Sequence, residues 1–100
     1  IEGCVTSQFE NHVRAVMGLP LGSTELRAPA VAMVNLLGTN ERDAQVDSAL
    51  QALAASDGHL HVYGKLDSRV GRKMSHYTML GDDMDATYAK AKEVTKEIRI

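Results

Sequence analysis

His59-Leu60-His61-Val62-Tyr63-Gly64-Lys65 alternates polar and apolar residues, and so does Lys73-Met74-Ser75-His76-Tyr77-Thr78-Met79-Leu80. A period of two is the signature of a β-strand with two unlike faces. In the first run Leu60 and Val62 share one face, and His59, His61, Tyr63 and Lys65 share the other. In the second, Met74, His76, Thr78 and Leu80 oppose Ser75, Tyr77 and Met79. The seven residues Leu66 to Arg72 between the runs are too few for a crossover helix, so the two strands form an antiparallel hairpin. Its register is open: alternation alone does not say whether His76 meets the His59/His61 face.

Upstream of the hairpin, Val31 to Leu37 is β-branched and apolar on both faces, which predicts a central strand ending at Gly38. A helix follows, capped by Asn40, rich in alanine (Ala44, Ala49, Ala52, Ala54, Ala55) and burying Val46, Leu50 and Leu53, until Asp57-Gly58 stops it. Nearer the start, Ser7-Gln8-Phe9-Glu10 has capping-box spacing, with the hydroxyl and the carboxylate each bonding the other residue's amide. Phe9, Val13, Val16 and Met17 then make one apolar stripe, closed by Gly18 and Pro20. Leu19 to Pro29 reads as a surface loop. Downstream, Asp82, Asp83 and Asp85 open a last helix whose stripe is Met84, Tyr88, Ala91, Val94 or Thr95, and Ile98. Lys90, Lys92, Lys96 and Arg99 complement its dipole. The order helix, strand, helix, hairpin, helix is a small α+β domain, antiparallel and β-rich, with flanking helices.

The chain has 100 residues, one domain's worth, with 44% hydrophobic and 24% charged residues. That is globular composition, and it argues against disorder. Four aromatic residues leave an aliphatic core, filled in part by Met17, Met33, Met74, Met79 and Met84. A net charge of −2 with so few aromatics excludes a basic, base-stacking nucleic-acid surface. The longest apolar run, Ala28 to Leu37, is interrupted by Pro29 and Asn35 and is too short to cross a bilayer. One cysteine, Cys4, allows neither an internal disulfide nor a multi-thiolate metal site, and reads as a small buried hydrophobe. No basic-then-apolar leader opens the chain, so the expectation is a cytoplasmic domain. Ile1 to Val5 reads as a strand already under way, which suggests a piece of something longer.

The chemistry concentrates around the hairpin connection. Lys65, Arg69, Arg72 and Lys73 put four cations within nine residues of an otherwise acidic chain. When the hairpin closes, Lys65 and Arg72 come to facing strand ends, where two donors can converge on a phosphate, and Gly71 lets backbone approach the same anion. The plainer reading of the same residues is a solvated tip, since strand ends commonly carry Lys and Arg. The four histidines lack the converging ligands and support a zinc site needs, so no metal site is expected. Asp82, Asp83 and Asp85 lack the offsets of a calcium loop. Phosphate-loop, dinucleotide and nucleophile-elbow motifs are all absent. The chain carries no complete active site, and no residue is assigned as catalytic.

Three strings, taken in order, are more specific. Cys4-Val5-Thr6-Ser7-Gln8-Phe9-Glu10-Asn11-His12-Val13-Arg14-Ala15-Val16 with Gly18-Leu19-Pro20-Leu21-Gly22 is one, and Val34-Asn35-Leu36-Leu37-Gly38 is the second. His61-Val62-Tyr63-Gly64-Lys65 with Gly71-Arg72-Lys73-Met74-Ser75-His76 is the third. Over residues 1 to about 81 the chain resembles the C-terminal part of carboxyaminoimidazole ribonucleotide synthase, an ATP-grasp enzyme of purine biosynthesis. The resemblance implies a rudimentary barrel-sandwich hybrid with helices. It also implies that residues 1–100 are a C-terminal domain fragment of a ligase that carboxylates aminoimidazole ribonucleotide with bicarbonate through carboxyphosphate. ATP and magnesium would be held by upstream ATP-grasp domains, so this chain alone would be inactive. Lys65 and Arg72 match the family's lysine and arginine that reach the substrate's 5′-phosphate, with Arg69 and Lys73 weaker candidates. Ser75 stands where the family usually has glycine. Two other readings compete: a purely structural or dimer-interface module, with Phe9, Val13 and the apolar sheet face packing on neighbouring domains or a second subunit, and the equivalent domain of another ATP-grasp carboxylase or ligase. No nucleic-acid or membrane partner is expected.

Overall fold

The computed structural model describes residues 1–40, 47–54 and 57–100. Its elements run α1 (Gln8–Val16), β1 (Ala30–Leu37), α2 (Asp47–Ala54), β2 (His59–Val62), β3 (Lys73–Gly81) and α3 (Met84–Thr95). The three strands form an open antiparallel sheet in the order β1-β3-β2. The α+β class and the hairpin of β2 and β3 are as the alternation implied. The central strand is β3, not β1. Six successive residues of β3, Met74 to Met79, are buried, because it pairs on both edges and is covered on both faces. The two-sided apolarity of β1 has a different cause. Ala32 and Leu36 face the helical layer, while Val31 lies under the N-terminal segment, close enough that a Cβ on Gly3 would sit 2.7 Å from its Cγ1.

The helical layer covers one face of the sheet. Ala32, Tyr77, Met79 and Ala91 form one buried cluster with Val34, Leu60 and Val94 packed on it. Leu36, Ala49, Met74, Ile98 and Ile100 form the other. Helix α3 turns Thr87, Ala91 and Thr95 inward, while Met84 and Tyr88 are about half exposed. Ala91, Thr95 and Ile98 of the expected stripe are thus buried, while in the first turns Thr87 takes the inward place expected of Met84 and Tyr88. Small side chains bring the helix close to the sheet, and the threonine hydroxyls are satisfied within the helix: Thr87 Oγ1 donates to the Asp83 carbonyl (2.6 Å) and Thr95 Oγ1 to that of Ala91 (2.9 Å). Asp83 caps the helix by accepting from the Ala86 amide at 2.8 Å. Helix α2 likewise buries Ala49 rather than Leu50, which is 54% exposed. Val46, Ala44 and Ala55, also expected in this helix, lie outside the described residues. Of the methionines, Met74 and Met79 fill the core, whereas Met17, Met33 and Met84 are exposed.

The N-terminal segment lies over the opposite face. Residues 3–6 run beside 23–27, with a bridge between Cys4 and Leu26 and the Arg27 amide donating to the Gly3 carbonyl at 2.9 Å. Half of the expected capping box forms on α1. Ser7 Oγ accepts from the Glu10 amide at 3.1 Å, but the Glu10 carboxylate turns to Arg14, four residues on, at 2.9 Å. Gly18 takes φ +68°, and the Leu19 amide bonds the Arg14 carbonyl, closing the helix as its glycine signalled. No residue of α1 is buried, so Phe9, Val13, Val16 and Met17 lie exposed.

Candidate functional site

Register decides what shares the face under the N-terminal segment. Asn35, His76 and His61 line up across the three strands in one row, and Met33, Thr78 and His59 in the next. His76 thus lands beside His61, with ring centroids 4.6 Å apart and planes inclined by 20°. Its Nδ1 lies 2.8 Å from the Tyr63 hydroxyl, while on the far side His61 Nε2 lies 2.6 Å from Glu2 Oε1. The rings form a chain from the N-terminal segment to the end of β2. A cavity of about 410 Å³ opens beside it, lined by Phe9, Met33, Asn35, Tyr63, Lys73 and His76 among others.

Electrostatics act on the buried end of the chain of rings. Burial, with help from the charges of His61 and the amino terminus, holds the pKa of His76 below the usual histidine value, and only the Glu2 carboxylate opposes this. The ring is therefore neutral near pH 7. The Tyr63 hydroxyl and His76 Nδ1 share one hydrogen bond, and His76 Nε2 is buried with no partner among the described residues. Burial pushes the Glu2 carboxyl up. The hydrogen bonds from its own amide and from His61, with the charges of His61 and the amino terminus, outweigh it and leave the group below its ordinary value. Among the described residues no three His, Cys, Asp or Glu side chains group to hold a metal ion.

The four cations named from the sequence lie along the hairpin connection and its flanks. Strand β2 ends at Val62, earlier than the alternation suggested, and the chain turns at Gly64 with φ +68°. Lys65 then folds back so that its Nζ donates to the Lys73 carbonyl and lies 5.6 Å from the centre of the Tyr63 ring. Lys73 lines the cavity. Arg72 is committed differently: its Nη1 donates to both the carbonyl (3.0 Å) and the carboxylate (2.7 Å) of Asp67. The Arg72 hydrogen bond, and next its charge, outweigh burial and hold the Asp67 carboxyl below its usual range. Arg69 contributes its backbone, accepting from the Arg72 amide at 2.9 Å. Gly71, at φ +79°, donates to the Gly38 carbonyl while Gly38 donates to that of Arg72. The end of β1 thus anchors the loop, a contact that sequence reasoning did not anticipate. The alternation did contain the signal for the Tyr63/His61 face, and only the register was lacking.

The sequence profile of the phosphoribosylaminoimidazole carboxylase C-terminal domain matches residues 31–90. The N5-carboxyaminoimidazole ribonucleotide synthase of Vibrio parahaemolyticus is 51% identical over 82 residues, covering 81% of this chain and 19% of that protein. The crystal structure of N5-carboxyaminoimidazole ribonucleotide synthetase from Thermotoga maritima superposes with a TM-score of 0.83 at 46% identity, covering 98% of this chain and 28% of the other. That of N5-carboxyaminoimidazole synthase from Aspergillus clavatus, in complex with ADP and 5-aminoimidazole ribonucleotide, gives 0.79 at 33% identity, covering 95% and 26%. The chain spans less than a third of each of these relatives.

Proposed function

The chain belongs to the family of the phosphoribosylaminoimidazole carboxylase C-terminal domain, and from that premise we propose that it is the substrate-phosphate clamp of an ATP-dependent synthase that carboxylates aminoimidazole ribonucleotide in purine biosynthesis. One observation carries this reading. Lys65 and Arg72 lie in the connection beyond the paired strands rather than at facing strand ends, but the Lys65 ammonium rests on the carbonyl of Lys73, the residue next to Arg72, which keeps it at the end of the hairpin that carries Arg72. Lys65 offers a compact point charge and Arg72 a planar fork, a pairing suited to a phosphate dianion. Arg69 and Lys73 add positive potential around the same loop.

The relative from Aspergillus clavatus was crystallised with ADP and the ribonucleotide, which supports both the nucleotide and the substrate named here. ATP supplies the energy to activate bicarbonate. The part of the reaction that falls to this chain is binding: gripping the 5′-phosphate spends remote binding energy on fixing the imidazole in a reactive orientation. ATP and magnesium are assigned to upstream ATP-grasp domains, as the resemblance to the family implies. Without those domains the chain should not turn over.

The test uses a full-length synthase carrying this chain as its C-terminal portion. Lys65→Ala and Arg72→Ala should each raise the KM for the ribonucleotide at least tenfold and leave the KM for ATP unchanged. An unchanged ribonucleotide KM in both variants would remove the role. A second reading is favoured by the exposed stripe on α1, where Phe9, Val13, Val16 and Met17 are each more than half exposed. That stripe fits a packing surface for a neighbouring domain or a second subunit. Titrating the chain with inorganic phosphate weighs the two readings, because amide shifts confined to residues 66–73 belong to an anion site and not to a scaffold.

A further inference from the structure

A lysine that binds phosphate works best when its ammonium is already in place. The side chain has four rotatable bonds, and ordering them on binding weakens the complex. Lys65 is not left to sample them freely. Its Nζ is held from one side by the Lys73 carbonyl and lies 5.6 Å from the Tyr63 ring centre on another. The Tyr63 ring is half exposed and would swing freely at the end of β2, but its hydroxyl is tied at 2.8 Å to His76 Nδ1. His76 is only 6% exposed and cannot follow it, because it sits on the central strand and stacks on His61 at 4.6 Å. His61 in turn is held by Glu2 at 2.6 Å. Each link fixes the next, from the N-terminal segment outward to the ammonium.

We propose that Tyr63 is a positioning residue for substrate binding: anchored by His76, it holds the Lys65 ammonium ready for the 5′-phosphate of the ribonucleotide. This rests on the reading of Lys65 as a phosphate ligand. Tyr63 touches no reacting atom, and its effect passes entirely through the lysine. Two separable parts of the side chain act. The ring face attracts the ammonium, and the hydroxyl fixes the ring. Loss of the ring should therefore cost more than loss of the hydroxyl.

In the full-length synthase, Tyr63→Leu should raise the ribonucleotide KM about tenfold and Tyr63→Phe about threefold, with kcat and the KM for ATP unchanged in both. In the chain with ¹³C-labelled lysine, the Cε protons of Lys65 should show a ring-current shift that disappears in Tyr63→Leu and shrinks in Tyr63→Phe. If Lys65→Ala raises the ribonucleotide KM but both Tyr63 variants leave it unchanged, the positioning role is overturned and the phosphate role survives. If Lys65→Ala itself has no effect, the phosphate role falls and takes this inference with it. A fall in kcat, or a rise in the KM for ATP, would show Tyr63 to be a general structural residue and would equally overturn the proposal. Should Tyr63→Leu fail to fold, Tyr63→Phe decides on the same readouts.

Discussion

Arg72 reaches across its own loop to Asp67, its Nη1 lying 2.7 Å from the carboxylate and 3.0 Å from the backbone carbonyl of the same residue. Any anion that takes Arg72 must share or displace that carboxylate, which repels it. Asp67 is well exposed, so the pair is screened and worth little by itself. Asp67→Asn keeps the carbonyl contact and removes the competing charge. It should lower the ribonucleotide KM about twofold, more at low ionic strength than at high, as steady-state kinetics at two salt concentrations would reveal. A raised KM would mean that Asp67 orients Arg72 more than it competes for it.

Gly38 ties the loop to the sheet. Its amide donates to the Arg72 carbonyl at 2.8 Å and its carbonyl accepts from Gly71 at 3.0 Å. A Cβ there would lie 2.3 Å from the Arg69 carbonyl oxygen and 2.4 Å from Ser68 Oγ. Backbone on one side and a buried serine on the other leave no soft neighbour to give way. Gly38→Ala should displace the loop and cost about 1–3 kcal/mol by denaturant titration. It should also weaken phosphate binding at residues 66–73 in an amide-shift titration. Lost stability with binding intact would show that Gly38 supports the sheet end alone.

The buried His76 ring makes stability depend on pH. Its pKa is lowered on folding by burial, His61 and the amino terminus against the pull of Glu2, so between the ordinary value of 6.5 and the folded value the unfolded chain binds the extra proton. Stability is complete above about pH 6.5 and falls as pH drops through that window. Glu2, whose pKa is also lowered, adds a second loss below its ordinary value of 4.5. Urea midpoints measured between pH 7.5 and 5 should decline, and His76→Gln should flatten the decline. A parallel decline in both proteins would assign it to other groups.

Alternation and turn chemistry sufficed for the element order, since β2 and β3 show their period in the sequence and Gly18 and Asp83 mark helix ends directly. Position within the sheet was not legible in the same way. An apolar strand such as β1 can be covered on both faces by non-strand elements and still lie at an edge, and hydropathy does not distinguish cover from pairing. Helix facing was legible in part: Ala91, Thr95 and Ile98 of the expected stripe are buried, but at the start of the helix the large residues Met84 and Tyr88 stay out, because close packing on the sheet selects the smaller Thr87. The basic loop was legible as charge. The line Glu2–His61–His76–Tyr63 was not, because it depends on a register that brings together residues 59 positions apart.

Ser75 gives the cleanest test of a buried polar group. It is fully buried on the helical face, opposite Leu36 and Val62, and its hydroxyl has no hydrogen-bond partner among the described residues. Taking that hydroxyl out of water without a replacement bond costs free energy that an apolar side chain of similar size would not. Ser75→Ala should therefore stabilise the chain by about 1 kcal/mol, read as a higher urea midpoint at unchanged m-value. Ser75→Gly also removes the hydroxyl, but it frees the backbone of the central strand in the unfolded state and leaves a gap beside Met74. Its gain should be cancelled or reversed by about 1 kcal/mol. If both variants gain equally, the backbone term is negligible at this position. If Ser75→Ala loses stability, the hydroxyl has a bonding partner in solution, and the helical face of the sheet is wetter than its packing indicates.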